Sequence, residues 1–276
     1  MNNKNIEFNT CINQIFGNEE NKKLLKLIYK FFENLRVGNE DVLKYVNKNL
    51  PHYLEMFGNF VKYLEELPDD IKKSIKILSD YGWYVEIYKI NMFQVIFMSK
   101  SGLMDEKEVN KHLIKQYNEM LESILEKAVD LFPHREVFLR KAISAHKNRD
   151  YELSIPVLLA QIDGICFDFT KNEYFRKTKK EYNPKTSDYI NSLEIDKAFE
   201  LVLEPLKSVT PLSFHENEVS KQNKYILNRH SIMHGKDIEY ATELNSCKVI
   251  SFLAYIVSVF KFISDEVIQS TPNKDS

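Results

Sequence analysis

Val249-Ile250-Ser251-Phe252-Leu253-Ala254-Tyr255-Ile256-Val257-Ser258-Val259-Phe260 is the longest apolar run in the chain, and what it is decides the fold. It is shorter than the ~20 residues that a membrane span requires. It also holds two serines and is followed by Lys261. The surrounding segment, from about Thr242 to Val267, is apolar nearly all round, the pattern of a helix at the centre of a bundle. The rest of the chain agrees with a helical reading. Among 276 residues there are 18 Phe and 15 Tyr but only 7 Gly and 8 Pro. So few turn formers argue against a design built of many short strands. An all-α fold is expected.

Working back from that helix, periodicity outlines a second half built as a bundle. One helix is expected from Arg135 to Lys147 and another from Tyr151 to Phe169, with Pro156 tolerated in its first turns or kinking it. Ile195, Ala198, Phe199, Val202, Leu203 and Leu206 mark a third. Ser213-Phe214-His215-Glu216 has the form of a capping box and is expected to open a helix ending near Gly235. The polar, basic stretch Thr170 to Ser192 lacks periodicity and reads as a long loop.

Further toward the N-terminus, Asp105 to Glu108 resembles another capping box. It precedes a stripe of Val109, Leu113, Tyr117, Met120, Leu121, Ile124, Leu125 and Ala128. Phe132-Pro133-His134 ends that helix and marks the expected boundary between a helical N-terminal region, 1–132, and a bundle, 133–276. Leu24, Leu25, Leu27, Ile28, Phe31, Phe32 and Leu35 form an amphipathic face. Val42 to Leu64 reads as two short helices interrupted by Pro51, and Pro68-Asp69-Asp70 opens another reaching Leu78. Trp83 to Met98 is rich in β-branched and aromatic residues without period-two alternation and is read as helix. No internal repeat is evident.

Composition limits the function. The residues are 43% hydrophobic and 28% charged, as in a globular chain. Lys+Arg number 38 against Asp+Glu 40, a formal net charge of −2, so any contact with nucleic acid needs a local basic patch. Cys11, Cys166 and Cys247 are widely spaced in apolar surroundings and read as reduced core cysteines, not a disulfide frame or zinc site. The start, MNNKNIEFN, has no signal-peptide apolar run. A cytoplasmic protein without a membrane segment is expected.

The chemistry concentrates in Asn228-Arg229-His230-Ser231-Ile232-Met233-His234-Gly235. Gly235 suits the left-handed residue that stops a helix, which would put Arg229 and His230 in a last helical turn and His234 at its end. Metal-free RNA cleavage needs the 2′-hydroxyl to lose a proton and the leaving 5′-oxygen to gain one, and an imidazole can do either near neutral pH. A planar guanidinium suits the charge developing on the phosphorane.

Arg229, a polar residue, three more residues and then His234 resemble the Arg-x4-His signature of the HEPN superfamily. The resemblance covers roughly the last half of the chain. It implies an α-bundle with the motif between its last two long helices and a metal-independent endoribonuclease without a cofactor. It further implies 2′,3′-cyclic phosphate and 5′-hydroxyl products, a homodimer with two motifs facing one cleft, and a role as toxin or in anti-phage defence, with an antitoxin or activator protein as possible partner. By this resemblance Arg229 binds the scissile phosphate, His234 is the acid–base residue and His230 supports their orientation.

Other residues are drawn in by their own chemistry. Asp163 sits among Leu159, Ala160, Cys166 and Phe167 on an apolar face, where a carboxylate needs a partner, so Asp163 or Gln161 is expected to reach Arg229. Asn228 is a further supporting candidate. Arg176, Lys177, Lys179 and Lys180, interleaved with Tyr174, Phe175 and Tyr182, suit single-stranded RNA through phosphate contacts and base stacking, with Lys236 beside the motif. A solvated insertion would look the same.

Three alternatives stand beside ribonuclease activity. The motif could be a helix C-terminus at which cations are favoured by the macrodipole. His230, His234 and Asp237 could hold a metal, although Gly235 would break the helix before Asp237. The bundle could also be a silent module binding RNA, nucleotide or protein. His52, His112, His134, His146 and His215 show no partners at informative spacing, and His134 and His146 read as caps or surface residues.

Overall fold

A computed structural model describes residues 75–84, 86, 106–179, 182–193, 201–219, 221 and 225–270. The helices read between Leu24 and Leu64, the Asp105 cap, most of 83–98, Ile195 to Phe199, Cys11 and Lys180 lie outside them. The chain divides into two compact units, 1–71 with 91–102, and 72–90 with 103–276. All described residues belong to the second, so the boundary expected at Phe132 falls inside it.

The described residues are helical with no sheet, as the composition requires; an isolated bridge pairs Lys177 with Pro184. The long helices are α1 (Glu106–Leu131), α2 (Glu136–Lys147), α3 (Tyr151–Thr170) and α8 (Glu243–Ser270). Between α3 and α8 the described residues form short helices: α4 (Thr186–Asn191), α5 (Glu204–Lys207), α6 (Glu216–Val219) and α7 (Arg229–Met233).

Helix α8 packs on α1 and α3, and α2 packs on both α3 and α1. Its residues from Cys247 to Val257 are buried apart from the half-buried Lys248, which is why no polar face could be read there. Phe169 of α3 stacks on Phe260 with centroids 4.2 Å apart, and Tyr84 meets Phe252 at 4.2 Å. Two helices, Tyr151–Thr170 and Glu243–Asp265, are long and apolar enough by length and composition to cross a membrane; the second is 78% buried within the protein. Cys166 and Cys247 are free and buried, and burial pushes the Cys247 thiol up to about 12.

Several local expectations are corrected. Trp83, Tyr84 and Glu86 are not helical. The Tyr84 N–H donates to Ser251 Oγ (3.1 Å) and its carbonyl accepts from Tyr117 Oη (2.6 Å), so side chains of α8 and α1 take the groups a helix ladder would use. The stretch read as a long loop contains α4, and residues 201–207 form a 3-10 turn followed by α5. The helix expected from Ser213 to Gly235 is not continuous: α6 is one turn long and 225–228 are not helical. The reciprocal cap joins Thr210 and Ser213 on a 3-10 turn instead.

Pro156 lies inside α3 and has no N–H for the Glu152 carbonyl. Tyr240 Oη donates to that carbonyl at 3.1 Å, so the gap left by proline anchors the loop that follows the Arg-x4-His segment.

Candidate functional site: an arginine and histidine corner

Helix α7 begins at Asn228, whose extended backbone (φ −134°, ψ 122°) and side chain form its N-cap. Asn228 Oδ1 accepts the Ser231 N–H at 3.0 Å, filling one of the free donors at a helix start. Its Nδ2 donates to the carbonyls of Pro211 and Phe214, each at 3.0 Å. The side chain is fully buried. Asn228 thus clamps the residue preceding Arg229 to the residue preceding His215. Gly235 closes the other end at φ +67°, with the Lys236 N–H donating to Ser231 O at 2.8 Å, a left-handed stop of the expected kind.

Arg229 is therefore the first residue of its helix, not part of a last turn. There a helix field disfavours a cation, so macrodipole stabilisation does not explain Arg229. Its guanidinium lies over the Phe175 ring, 5.4 Å from the centroid, within cation–π range. Asp163 Oδ1 accepts the Phe175 N–H at 3.0 Å. Burial raises the Asp163 pKa, while that hydrogen bond and the attraction of Arg229 pull it back. Asp163 is half-buried and coupled to Arg229 through charge, with its hydrogen bond going to Phe175.

Gln161 goes elsewhere. It accepts from Arg135 Nη1 at 3.0 Å, and Arg135 Nε and His134 Nε2 both meet Asp168 Oδ2 at 2.7 Å. The Arg135 pairing is the main cause that lowers the Asp168 pKa. The guanidinium lies flat on Gly164, where a Cβ would come within 2.3 Å of Arg135 Nη1. His134 is thus an exposed residue in hydrogen-bond contact with Asp168. His146 is buried, neither cap nor surface residue, with Nδ1 on Ser246 Oγ and Nε2 on Asn118 Oδ1, each at 2.8 Å.

The structure adds a histidine that spacing could not reveal. The ring of His215 lies 5.4 Å from that of His230, and His230 lies 4.4 Å from His234. His215 and His234 are exposed and His230 is half-buried. Fourteen residues separate His215 from His230 in the sequence, so no local period links them. Among the described residues no three His, Cys, Asp or Glu side chains are arranged to hold a metal ion. Asp237, proposed as a third ligand, accepts instead from Tyr225 Oη at 2.9 Å.

The basic stretch divides. Tyr174 is fully buried, its hydroxyl donating to Pro205 O and meeting Thr210 Oγ1, both at 3.1 Å, so it is a core anchor and offers no face to a base. Phe175 lies under Arg229. Lys177 turns inward and donates to Ser213 Oγ at 2.9 Å; burial draws its pKa down to about 8, partly offset by Glu218. Arg176 is exposed and pairs with Glu173 at 3.5 Å, and Lys179, Lys236 and Tyr182 are exposed.

The residues brought together are therefore Arg229, His230, His234, Asp163 and Asn228 from the sequence reading, with His215 and Phe175 added. No family model, no curated protein and no solved structure matches this chain.

Proposed function

We propose that this corner cleaves RNA without a metal, in the manner the HEPN resemblance implies. The observation that carries the reading is the cluster of imidazoles in which His215 and His234 each lie against His230, on the same short helix segment as Arg229, whose guanidinium is held over Phe175. Transfer of a phosphoryl group from the 5′-oxygen to the neighbouring 2′-oxygen needs little else. One neutral imidazole removes the 2′-hydroxyl proton, one protonated imidazole supplies the 5′-oxygen, and a fixed cation stabilises the phosphorane. Arg229 provides that cation, and Asn228 fixes its backbone without touching substrate. Lys177 and the exposed Lys236 would extend phosphate contacts along the strand. A role in toxin action or defence, and a dimeric cleft, belong to the same proposal.

The test is incubation of the full chain with single-stranded and transfer RNA in EDTA, beside Arg229→Ala and His234→Ala. Each variant should cleave about 10²-fold slower or worse. Products should end in 2′,3′-cyclic phosphate and 5′-hydroxyl groups. Equal cleavage by all three proteins would refute the assignment. Binding of RNA without cleavage would favour the silent module.

A further inference from the structure

We propose that His215 is the second proton-transfer residue of this site, so that His215 and His234 divide the acid and base steps within one chain. The inference rests on the ribonuclease reading and adds a catalytic residue that the Arg-x4-His segment does not contain.

In-line transesterification moves two protons at opposite sides of one phosphorus. As the P–O2′ bond forms, the 2′-hydroxyl proton passes to a neutral imidazole nitrogen. As the P–O5′ bond breaks, its electron pair takes a proton from an imidazolium. One imidazole ends protonated and the other neutral, and no net proton or electron is exchanged. A single histidine serves this step poorly, because it cannot start both neutral and protonated. Two imidazoles on different sides of the reacting group can.

The corner holds two imidazoles for these roles. His215 and His234 each lie against the ring of His230, at 5.4 and 4.4 Å between centroids, and both are exposed. They come from different segments, so they are not neighbours by mere helical spacing. The backbone leading into His215 is also tied to the cap of α7. The Phe214 carbonyl accepts from buried Asn228 Nδ2, and the His215 N–H donates to Glu218 Oε2 at 2.7 Å. A second bond from Nδ2 reaches Pro211 O, so the chain entering His215 is held at two points. A surface histidine needs no such fixation. Lys177 donates to Ser213, two residues before His215, and adds a further side-chain tie to this segment.

The experiment uses the full chain and two oligonucleotides, each with a single ribonucleotide: one with the ordinary 5′-oxygen leaving group, the other with sulfur in that bridging position. A thiolate departs without protonation, so sulfur restores a variant lacking the acid and leaves one lacking the base impaired. Single-turnover rates are measured for wild type, His215→Ala, His215→Gln, His234→Ala and Arg229→Ala. On the oxygen substrate each variant should fall by about 10²- to 10⁴-fold. On the sulfur substrate either the His215 pair or His234→Ala, and not both, should recover to near the wild-type rate. The Gln variant keeps polarity and size, so agreement with Ala excludes a packing effect.

Full activity of both His215 variants on the oxygen substrate, with Arg229→Ala and His234→Ala inactive, would overturn the role of His215 and leave the ribonuclease reading standing. The same sulfur response for His215 and His234 variants would also overturn the division of labour. A wild type that cleaves neither substrate would remove the ribonuclease reading and this proposal with it.

Discussion

Asn228→Ala should loosen the fold and the site together, and the size of the effect follows from three hydrogen bonds. The amide caps α7 through the Ser231 N–H and binds the carbonyls of Pro211 and Phe214, all at 3.0 Å, from a fully buried position. Loss of an N-cap costs about 1 kcal/mol. Each of the other two bonds contributes about 1 kcal/mol net, and more where the abandoned carbonyl cannot reach water. The expected loss is about 3 kcal/mol. Asn228→Ser keeps a cap acceptor but cannot reach both carbonyls, so it should cost about 2 kcal/mol. The assay is urea denaturation of the full chain followed by far-ultraviolet circular dichroism at pH 7. With a slope of about 2 kcal/mol per molar urea, the Ala variant should lower the midpoint by about 1.5 M and the Ser variant by about 1 M. An Ala midpoint within 0.3 M of wild type (about 0.6 kcal/mol on the same slope) would refute the claim that Asn228 ties 211–214 to α7. A Ser variant equal to wild type would show that only the cap matters and that the clamp to Phe214 is incidental.

Gly164→Ala should destabilise by about 1 kcal/mol in thermal unfolding: the new methyl would meet the Arg135 guanidinium at 2.3–2.6 Å and push it from Gln161 and Asp168, at about 2 kcal/mol, while replacing a helical glycine returns about 1 kcal/mol. Stability wild-type-like in this variant would mean that Arg135 moves aside freely. For His146, burial is the chief cause that holds its pKa below the ordinary 6.5, with Lys147 acting the same way and Glu243 against it. The unfolded chain therefore binds this proton first as pH falls. Its contribution is complete above about pH 6.5 and lost as pH drops through the lower folded value, so His146→Gln should flatten the fall in urea midpoint between pH 7 and 5. Lys177 is held at about 8, so its charge fades as pH rises through that value. Affinity for single-stranded RNA measured by fluorescence anisotropy should weaken from pH 7 to 9, and Lys177→Arg should remove that dependence.

What the sequence discloses here depends on how far apart the partners lie. Helices α1, α2, α3 and α8 are legible because each repeats its apolar spacing over several turns, and the stripe from Val109 to Ala128 is buried apart from Met120. The region between Thr170 and Thr242 is not legible, because its short helices are set by side chains bonding to distant backbone. Ser213-Phe214-His215-Glu216 looks like a helix start. Yet Ser213 is spent on Thr210 and Lys177, the helix that follows is only the single turn α6, and the cap of α7 is Asn228. Gln161 and Asp163 are two residues apart but serve different clusters, one with Arg135 and one with Phe175 and Arg229. Only tertiary packing separates them. The one signal that could have pointed to His215 is its place just after Ser213, in a segment that polar side chains already crowd.

Arg229 and Asp163 explain each other in a way neither does alone. A guanidinium at the first position of a helix works against the backbone dipoles. A carboxylate drawn into an apolar helix face has its pKa raised by burial. Each unfavourable placement is offset by the other charge, with Phe175 between them, its N–H on the carboxylate and its ring under the guanidinium. Phe175 in turn is held by its neighbour Tyr174, whose hydroxyl is buried on Pro205 and Thr210, and Thr210 belongs to the turn that leads to His215. The chain of contacts therefore runs from α3 through 174–175 and 210–215 to α7 and returns to α3. A closed circuit of this kind fixes Arg229 relative to the imidazole row from several sides. Fixed charge is what phosphorane stabilisation needs, because a cation that must reorganise during the reaction contributes less. The Arg-x4-His spacing alone would serve equally well on a loose surface turn, and the circuit is what sets this corner apart from one.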